Sequence, residues 1–328
     1  MNETLRWGII GAGNVADSKS GPALARVAGS ELVAVMRRDA AKAQEFAQRH
    51  GARRWYSDAE SLINDSEVNA IYIASPHNLH LPHVQLVAPK HKVILCEKPT
   101  GISSAEAQTI VDVCQQHSVF LVIAYYRRFW AVTQKMLTLL KDGAIGEVIQ
   151  AQVQLSDYFK EDPSRPWLTS RAASGGGALV NTGSHWVDLI RYLLGEVAEV
   201  TAFCQSSRFE IDETIGAQLR LQSGALASLN ITLGSPPRID VIDLCGTRGR
   251  LTATSLQAGE LTLIRNDASP EVMHFPRNTV NHTELVTEIV AAHRAGRPSP
   301  VGGAEAVSVW RILESIYRAS AEKTRITL

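Results

Sequence analysis

Residues 5–17 read LRWGIIGAGNVAD. A short apolar run, Trp7 to Ile10, ends in Gly11-Ala12-Gly13-Asn14-Val15-Ala16, a GxGxxA pattern opening a helix. At such a strand-to-helix turn each small residue has a steric reason. Gly11 permits the tight turn, Gly13 lets the backbone approach a pyrophosphate, and Ala16 keeps the helix close to the sheet. The helix N-terminus adds free N–H groups and partial positive charge, so the Gly11, Gly13, Asn14 and Val15 backbone is a candidate dinucleotide cradle. Gly and Ala are abundant, so the pattern alone carries little weight. The preceding strand and a second one, "ELVAVM" at 31–36, give it its weight.

The residues after that second strand bear on which dinucleotide is bound. An NAD site wants an acid there to accept from the ribose 2′-OH, whereas a 2′-phosphate wants arginine. The chain has Met36-Arg37-Arg38-Asp39. Arg37 and Arg38 favour NADP, with NAD as second choice. Asp39 comes a little late for a ribose acid, though a short loop would let it serve. The bland alternative is an exposed basic turn.

Strands and helices continue to alternate as far as "VFLVIAYY" at 119–126. That order implies right-handed βαβ units and a doubly wound parallel sheet, the Rossmann arrangement, whose ligands gather beyond the carboxyl ends of the strands. Two motifs fall there, "SPHNLH" (Ser75–His80) and Glu97-Lys98-Pro99. Ser75, Pro76, His80, Glu97 and Lys98 are therefore candidate cofactor contacts. A loop histidine such as His77 or His80 is as readily structural.

From 146 onward the strand-like segments follow one another: "EVIQAQVQL", "VAEVTAFC", "GAQLRLQ", "ALASLNITL", "IDVIDLCG" and "GRLTAT". In "ALASLNITL" apolar Leu229, Ile231 and Leu233 alternate with Ser228, Asn230 and Thr232, giving one apolar and one polar face. This pattern predicts an open, mostly antiparallel sheet in an α/β domain, with two C-terminal helices around 283–294 and 304–321. The division suggested is 1–124 for the dinucleotide-binding domain and 125–328 for a substrate-binding and oligomerisation domain.

"GGGALVNTGSHWVDLIRYLLG" (Gly175–Gly195) is the least ordinary stretch of this half. On a wheel of about 100° per residue, Asn181, Ser184, His185, Asp188, Arg191 and Tyr192 share one arc. A solvated stripe explains that arc by itself. Three glycines at a helix start each cost about 0.5–1 kcal/mol relative to Ala, a cost tolerated where something approaches the backbone. The expectation is that they leave room for a substrate beside the helix that presents His185. Tyr126 and Arg128 are candidates for polar substrate groups, against the alternative of a solvated basic edge. Trp167, on a Pro-containing loop, can stack on a sugar ring or merely belong to a long connection.

Composition narrows the partners. Hydrophobic residues make up 45% and charged residues 20%, and the 33 basic residues equal the 33 acidic ones. No overall field draws the chain to nucleic acid or an anionic membrane. The four cysteines lack CxxC spacing, so neither a disulfide framework nor a metal site is expected. With no apolar run long enough to span a bilayer and no room for a signal before the first strand, the expected location is the cytoplasm.

Taken together, the GxGxxA turn, "ASPHNLH", "CEKP" (Cys96–Pro99), "YYRRF" (Tyr125–Phe129), "GGGALVNTGSHWVDL" and "GRPSPVGGAEA" resemble the glucose–fructose oxidoreductase and inositol dehydrogenase (Gfo/Idh/MocA) family, in order and over nearly the whole length. The resemblance implies a Rossmann domain followed by an α/β domain whose open sheet forms a homo-dimer or homo-tetramer contact. It implies that Lys98 lies beside the nicotinamide and the reacting carbinol, that His185 is its acid/base partner, and that the peptide before Pro99 is cis. The family usually carries Asp where this chain has Asn181, and an amide can orient a substrate but cannot accept a proton. The leading expectation is an NADP-preferring oxidoreductase acting on a sugar or polyol, with Lys98, His185 and Asn181 as its catalytic residues. Two alternatives are a regulatory relative that binds cofactor and sugar without turnover, and a glycosidase that uses NAD for transient oxidation.

Overall fold

The computed structural model describes residues 4–328, whose contacts group into two units. The first comprises the chain up to Tyr126 together with Thr279–Ser308; the second comprises Arg127–Asn278 and Val309–Leu328.

The first unit is built on six strands, β1 (Leu5–Ile10), β2 (Ser30–Met36), β3 (Arg54–Tyr56), β4 (Ala70–Ile73), β5 (Val93–Cys96) and β6 (Leu121–Ile123). All pair in parallel in the order β3-β2-β1-β4-β5-β6, the doubly wound arrangement. Every residue of β4 and β5 is buried, as expected of strands covered on both faces. The helices between them are α1 (Gly21–Arg26), α2 (Ala40–His50), α3 (Ala59–Ile63), α4 (His80–Val87) and α5 (Ser104–Gln116). Asp39, Asp58 and Ser103 cap α2, α3 and α5 through their side chains. Short β3 and α3 escape the sequence pattern because three and five residues hold too little periodicity.

The first unit is not one continuous stretch of chain. The segment 279–308, with α9 (Thr283–Arg294), returns to the first unit. The Ile123 amide donates to the Val301 carbonyl at 3.0 Å, which ties this segment to the edge strand β6. Gly303 sits so close to Val111 of α5 that a Cβ there would overlap it.

The second unit contains α6 (Ala131–Lys141), α7 (Arg171–Ser174), α8 (Ser184–Leu194) and most of α10 (Gly303–Glu322). Its sheet has nine strands: β7 (Val148–Tyr158), β8 (Val197–Gln205), β9 (Thr214–Leu221), β10 (Leu226–Thr232), β11 (Gly234–Gly246), β12 (Gly249–Ala253), β13 (Glu260–Arg265), β14 (Ala268–His274) and β15 (Ile326–Thr327). The order is β14-β13-β12-β11-β7-β10-β9-β8-β15, and only β7 and β10 run parallel. Leu229 and Ile231 are buried and Asn230 is exposed, the alternation expected of β10. The apolar face meets the helix leading into α8, where a Cβ on Gly183 would come within 3.0 Å of Ile231 Cδ1.

Two of the three glycines before that helix are crowded by the protein itself, although Gly177 also lines a small cavity with Asn181. Gly175 (φ +79°) is the left-handed C-cap of α7. A Cβ on Gly177 would overlap the Asp212 backbone, and one on Gly176 would overlap the Tyr317 hydroxyl. The Asp212 carboxylate accepts from the Gly177 and Leu179 amides, each at 2.8 Å, and from the Tyr317 hydroxyl. The glycines let the protein's own anion reach the helix start.

Gly177→Ala should therefore lower stability by about 1–3 kcal/mol or more through overpacking. A thermal melt that overlays the wild type would show that the loop yields without cost.

Candidate active site

In the first unit the loops after β1, β2, β4 and β5 all lie at the carboxyl edge of the sheet. Gly11 adopts φ +88°, and a Cβ there would approach the Ser75 amide nitrogen to 2.8 Å, so both conformation and crowding require glycine. A Cβ on Gly13 would meet nothing nearer than the Gly11 carbonyl at 3.9 Å. The outer side of the turn is thus open to close approach, which is the fit a pyrophosphate needs. The chain then enters a π-helical segment, Ala16–Ser20, before α1.

Beside this turn lies a cavity of about 230 Å³ lined by Gly13, Asn14, Asp17, Arg37, Lys42 and Arg49, among others. Val15 and Arg38 are exposed and are not among its lining residues. Asp39 is committed elsewhere. Its Oδ1 accepts from the Lys42 amide at 3.2 Å as the N-cap of α2, and that hydrogen bond holds its carboxyl below the usual range.

The loops after β4 and β5 are joined by His80. Its ring is fully buried, with Nε2 2.9 Å from the Ser75 carbonyl and Nδ1 3.0 Å from the Pro99 carbonyl and 3.4 Å from the Gly101 amide. Burial pulls its pKa down to about 4. A neutral ring donates from one nitrogen only, so it bonds either the Ser75 carbonyl from Nε2, with Nδ1 accepting from Gly101, or the Pro99 carbonyl from Nδ1. His80 is accordingly a strut between two strand-end loops, where sequence suggests a cofactor contact. Ser75 Oγ is 2.9 Å from His83 Nδ1, and Pro76 is half-buried.

The Lys98–Pro99 peptide is cis and Lys98 is half-buried. Glu97 is buried beneath it. Its Oε1 accepts from the Tyr72 hydroxyl at 2.6 Å and lies 3.0 Å from His282 Nε2, while Oε2 accepts from the Lys98 amide at 3.2 Å. Burial alone pushes the Glu97 carboxyl up, but His282, the Lys98 charge and Tyr72 outweigh it and hold the pKa down to about 2. Tyr126 packs its ring 4.5 Å from that of His282.

In the second unit His185 is buried on α8, and so are Ser184 and Asp188. The polar stripe is not a solvated face. Asn181 lies four residues before His185, within the π-helical segment Leu179–Gly183 that leads into α8. Asn181 is half-buried and lines a small cavity of about 10 Å³ with Phe159, Leu168, Arg208 and Phe209. Arg128 does not present a guanidinium for substrate. It forms a buried fork with Asp188 (Nε–Oδ2 2.9 Å, Nη2–Oδ1 2.6 Å) and lies over the Tyr192 ring. Trp167 is half-buried in the turn Pro166–Thr169.

Sequence reading misses Tyr72, His282, Lys42 and Arg49. The cationic side chains follow from placing α2 directly after β2. Nothing in the sequence ties His282 to Glu97, which stands 185 positions earlier.

A Rossmann unit with an open glycine turn and a lysine at the end of β5, followed by an α/β unit with a large mixed sheet, defines a dinucleotide-binding oxidoreductase. The chain belongs to the Gfo/Idh/MocA family: residues 5–125 match the model "Oxidoreductase family, NAD-binding Rossmann fold" and residues 133–252 match the "GFO/IDH/MocA C-terminal domain". It is 30% identical over 319 residues to "Oxidoreductase P35" of Formosa agariphila, covering 96% of this chain and 98% of that one. It is 30% identical over 293 residues to "Trans-1,2-dihydrobenzene-1,2-diol dehydrogenase" of Mus musculus, covering 87% and 86%. Among solved structures it is similar to an aldose-aldose oxidoreductase from Caulobacter crescentus complexed with glycerol (TM-score 0.89, 26% identity, 99% and 100% covered). The chain is an enzyme, an oxidoreductase with an NAD-binding Rossmann domain.

The His80 strut has a pH signature. The unfolded imidazole takes up a proton near pH 6.5 and the folded one only near pH 4, so between these values the unfolded state binds more protons. The contribution is complete above about pH 6.5 and is lost as pH falls toward 4. His80→Gln should flatten the fall in melting temperature between about pH 7 and about pH 4.5. Identical slopes in both proteins would refute the strut's neutrality.

Proposed function

We propose that the protein is an NADP-preferring oxidoreductase that moves hydride between the nicotinamide and a carbinol or keto carbon of a sugar or polyol. The observation that carries the cofactor preference is the cavity after β2, lined by Arg37, Lys42 and Arg49; its acids, Asp17 and Glu45, both pair with Arg49, and Asp39 at the strand end caps α2. A 2′-phosphate there meets cationic side chains, and Arg37 can bond it in the forked manner that guanidinium favours. The Gly11–Val15 turn would hold the pyrophosphate. Ser75, Pro76 and the Glu97-Lys98 turn would line the nicotinamide half. The bound cofactor supplies the hydride acceptor or donor.

The chain's own part is to hold the substrate and handle charge and proton. Lys98 polarises the reacting oxygen, since an ammonium stabilises the alkoxide character that builds there. His185 moves the proton, a task suited to an imidazole. Asn181 orients the substrate, with Tyr126 and Trp167 as further contacts. Two names among the relatives support the substrate class, a dehydrogenase of a cyclic diol and an oxidoreductase of aldoses crystallised with glycerol. All four cysteines are free, which suits a reducing cytoplasm.

Arg37→Asp should weaken NADPH binding about tenfold or more, the loss of one charge-assisted contact, while leaving NADH within about threefold. Lys98→Met and His185→Ala should each lower kcat by about 10²-fold or more. Equal NADPH and NADH affinities in both proteins would remove the preference. A wild-type protein that changes no nicotinamide absorbance against a broad polyol and keto-sugar panel would remove the activity.

Self-association through the open sheet face belongs to the same reading. Phe203 on β8 is 82% exposed and shares its outward row with Gly216, Asn230 and Gln154. Light scattering should show a dimer or tetramer that Phe203→Glu dissociates; a wild type that is monomeric at micromolar concentration would refute it.

A further inference from the structure

The carboxylate of Glu97 joins three separate parts of the first unit. Tyr72 on β4 and His282 at the start of α9 meet it at Oε1, and the Lys98 amide meets it at Oε2. An ionised carboxylate only accepts hydrogen bonds, so Nε2 of His282 carries the donating proton. The imidazole has little freedom. It is fully buried, it packs on Tyr126, its amide donates to the Lys19 carbonyl at 3.3 Å, and its carbonyl accepts from Val286 at 2.8 Å.

We infer that His282 is a positioning residue for Lys98, holding Glu97 so that its carboxylate fixes the Lys98 peptide and faces the ammonium. The inference rests on the reading of Lys98 as the group that polarises the substrate oxygen. It gives the returning segment a chemical task, since the lysine's support is completed by a residue 185 positions away. A buried carboxylate stays charged only while its partners compensate its desolvation. The titratable groups near Glu97 are Tyr72, Cys96, His80, Lys98 and His282, with Tyr126 behind Tyr72. His282 and Lys98 both lower the carboxyl's affinity for a proton by charge. Without His282, Glu97 takes up a proton at higher pH, and Lys98 loses both an anchored peptide and its facing charge.

The test compares wild type, His282→Leu and His282→Gln, whose amide retains a donor near the Nε2 position. In the cofactor-free proteins the acylation rate of Lys98 is followed by peptide mass spectrometry. In the loaded enzyme kcat, KM and the pH profile are measured. His282→Leu should change the Lys98 acylation rate by about threefold or more, lower kcat by about tenfold with KM within about twofold, and move the acid limb of kcat/KM upward in pH. His282→Gln should return all three toward wild type. If His282→Leu does not fold, Tyr72→Phe, which deletes only a hydroxyl, should shift the same quantities in the same direction. Values within about twofold of wild type in every measurement would overturn the inference. A wild type inert toward every polyol and keto sugar would defeat the proposed substrate class alone, and the acylation rates would still decide the positioning.

Discussion

A parallel sheet covered on both faces leaves polar chemistry only its strand ends. In the first unit β4 and β5 are buried along their whole length, so a charged group within them would lack solvent and partners. Candidates accordingly begin one or two residues past a strand, at Gly11, Arg37, Ser75 and Glu97-Lys98. Parallel pairing sends these ends to one edge, and burial of the strands prevents them from slipping. The precision asked of the turn that carries Lys98 comes from that rigidity.

Buried anions recur as the fastening device, each satisfied by groups remote in sequence. Glu97 draws on Tyr72 and His282, Asp188 on Arg128, and Asp212 on two amides and Tyr317. Such a site is unforgiving, because removing one partner of a buried pair costs about 3–5 kcal/mol. In return the geometry becomes single-valued. Arg128–Asp188 fixes the entry of α6 against α8, and Asp212 fixes where the helix bearing His185 begins. The groups with the best hydrogen bonds in the second unit therefore set positions.

The parts legible in sequence are those carried by period and turn chemistry. Buried runs closed by glycine or proline give the Rossmann strands, and the alternation of Leu229 and Ile231 with Ser228 and Asn230 gives the mixed sheet. The return of 279–308 to the first unit is not legible, since it depends on long-range contacts such as Ile123 with Val301. Arg128 and His80 show the same limit from another side. Their residue types suit ligand binding, and only the position of Asp188, or of the Ser75 and Pro99 carbonyls, reveals that they are already engaged. The π-helical form of Leu179–Gly183 is not legible either, because no residue type announces a departure from the 100° phase.

The two glycine-rich helix entries show how one sequence signal takes opposite meanings. Both lead into π-helical segments, Ala16–Ser20 and Leu179–Gly183. At the first, an added Cβ on Gly13 would meet almost nothing, so an anion from solution can approach the turn and the helix start beyond it, while the Gly11, Ala12 and Gly13 amides donate to the Met36 and Gly11 carbonyls. At the second, Cβ atoms on Gly176 and Gly177 would overlap Tyr317 and Asp212, and the amides there already bond an internal carboxylate. The same electrostatic preference for negative charge at a helix start operates in both places. What differs is the source of the charge. In the first unit a ligand must bring it, and in the second the chain has supplied it, which is why only the first glycine turn reads as a binding site.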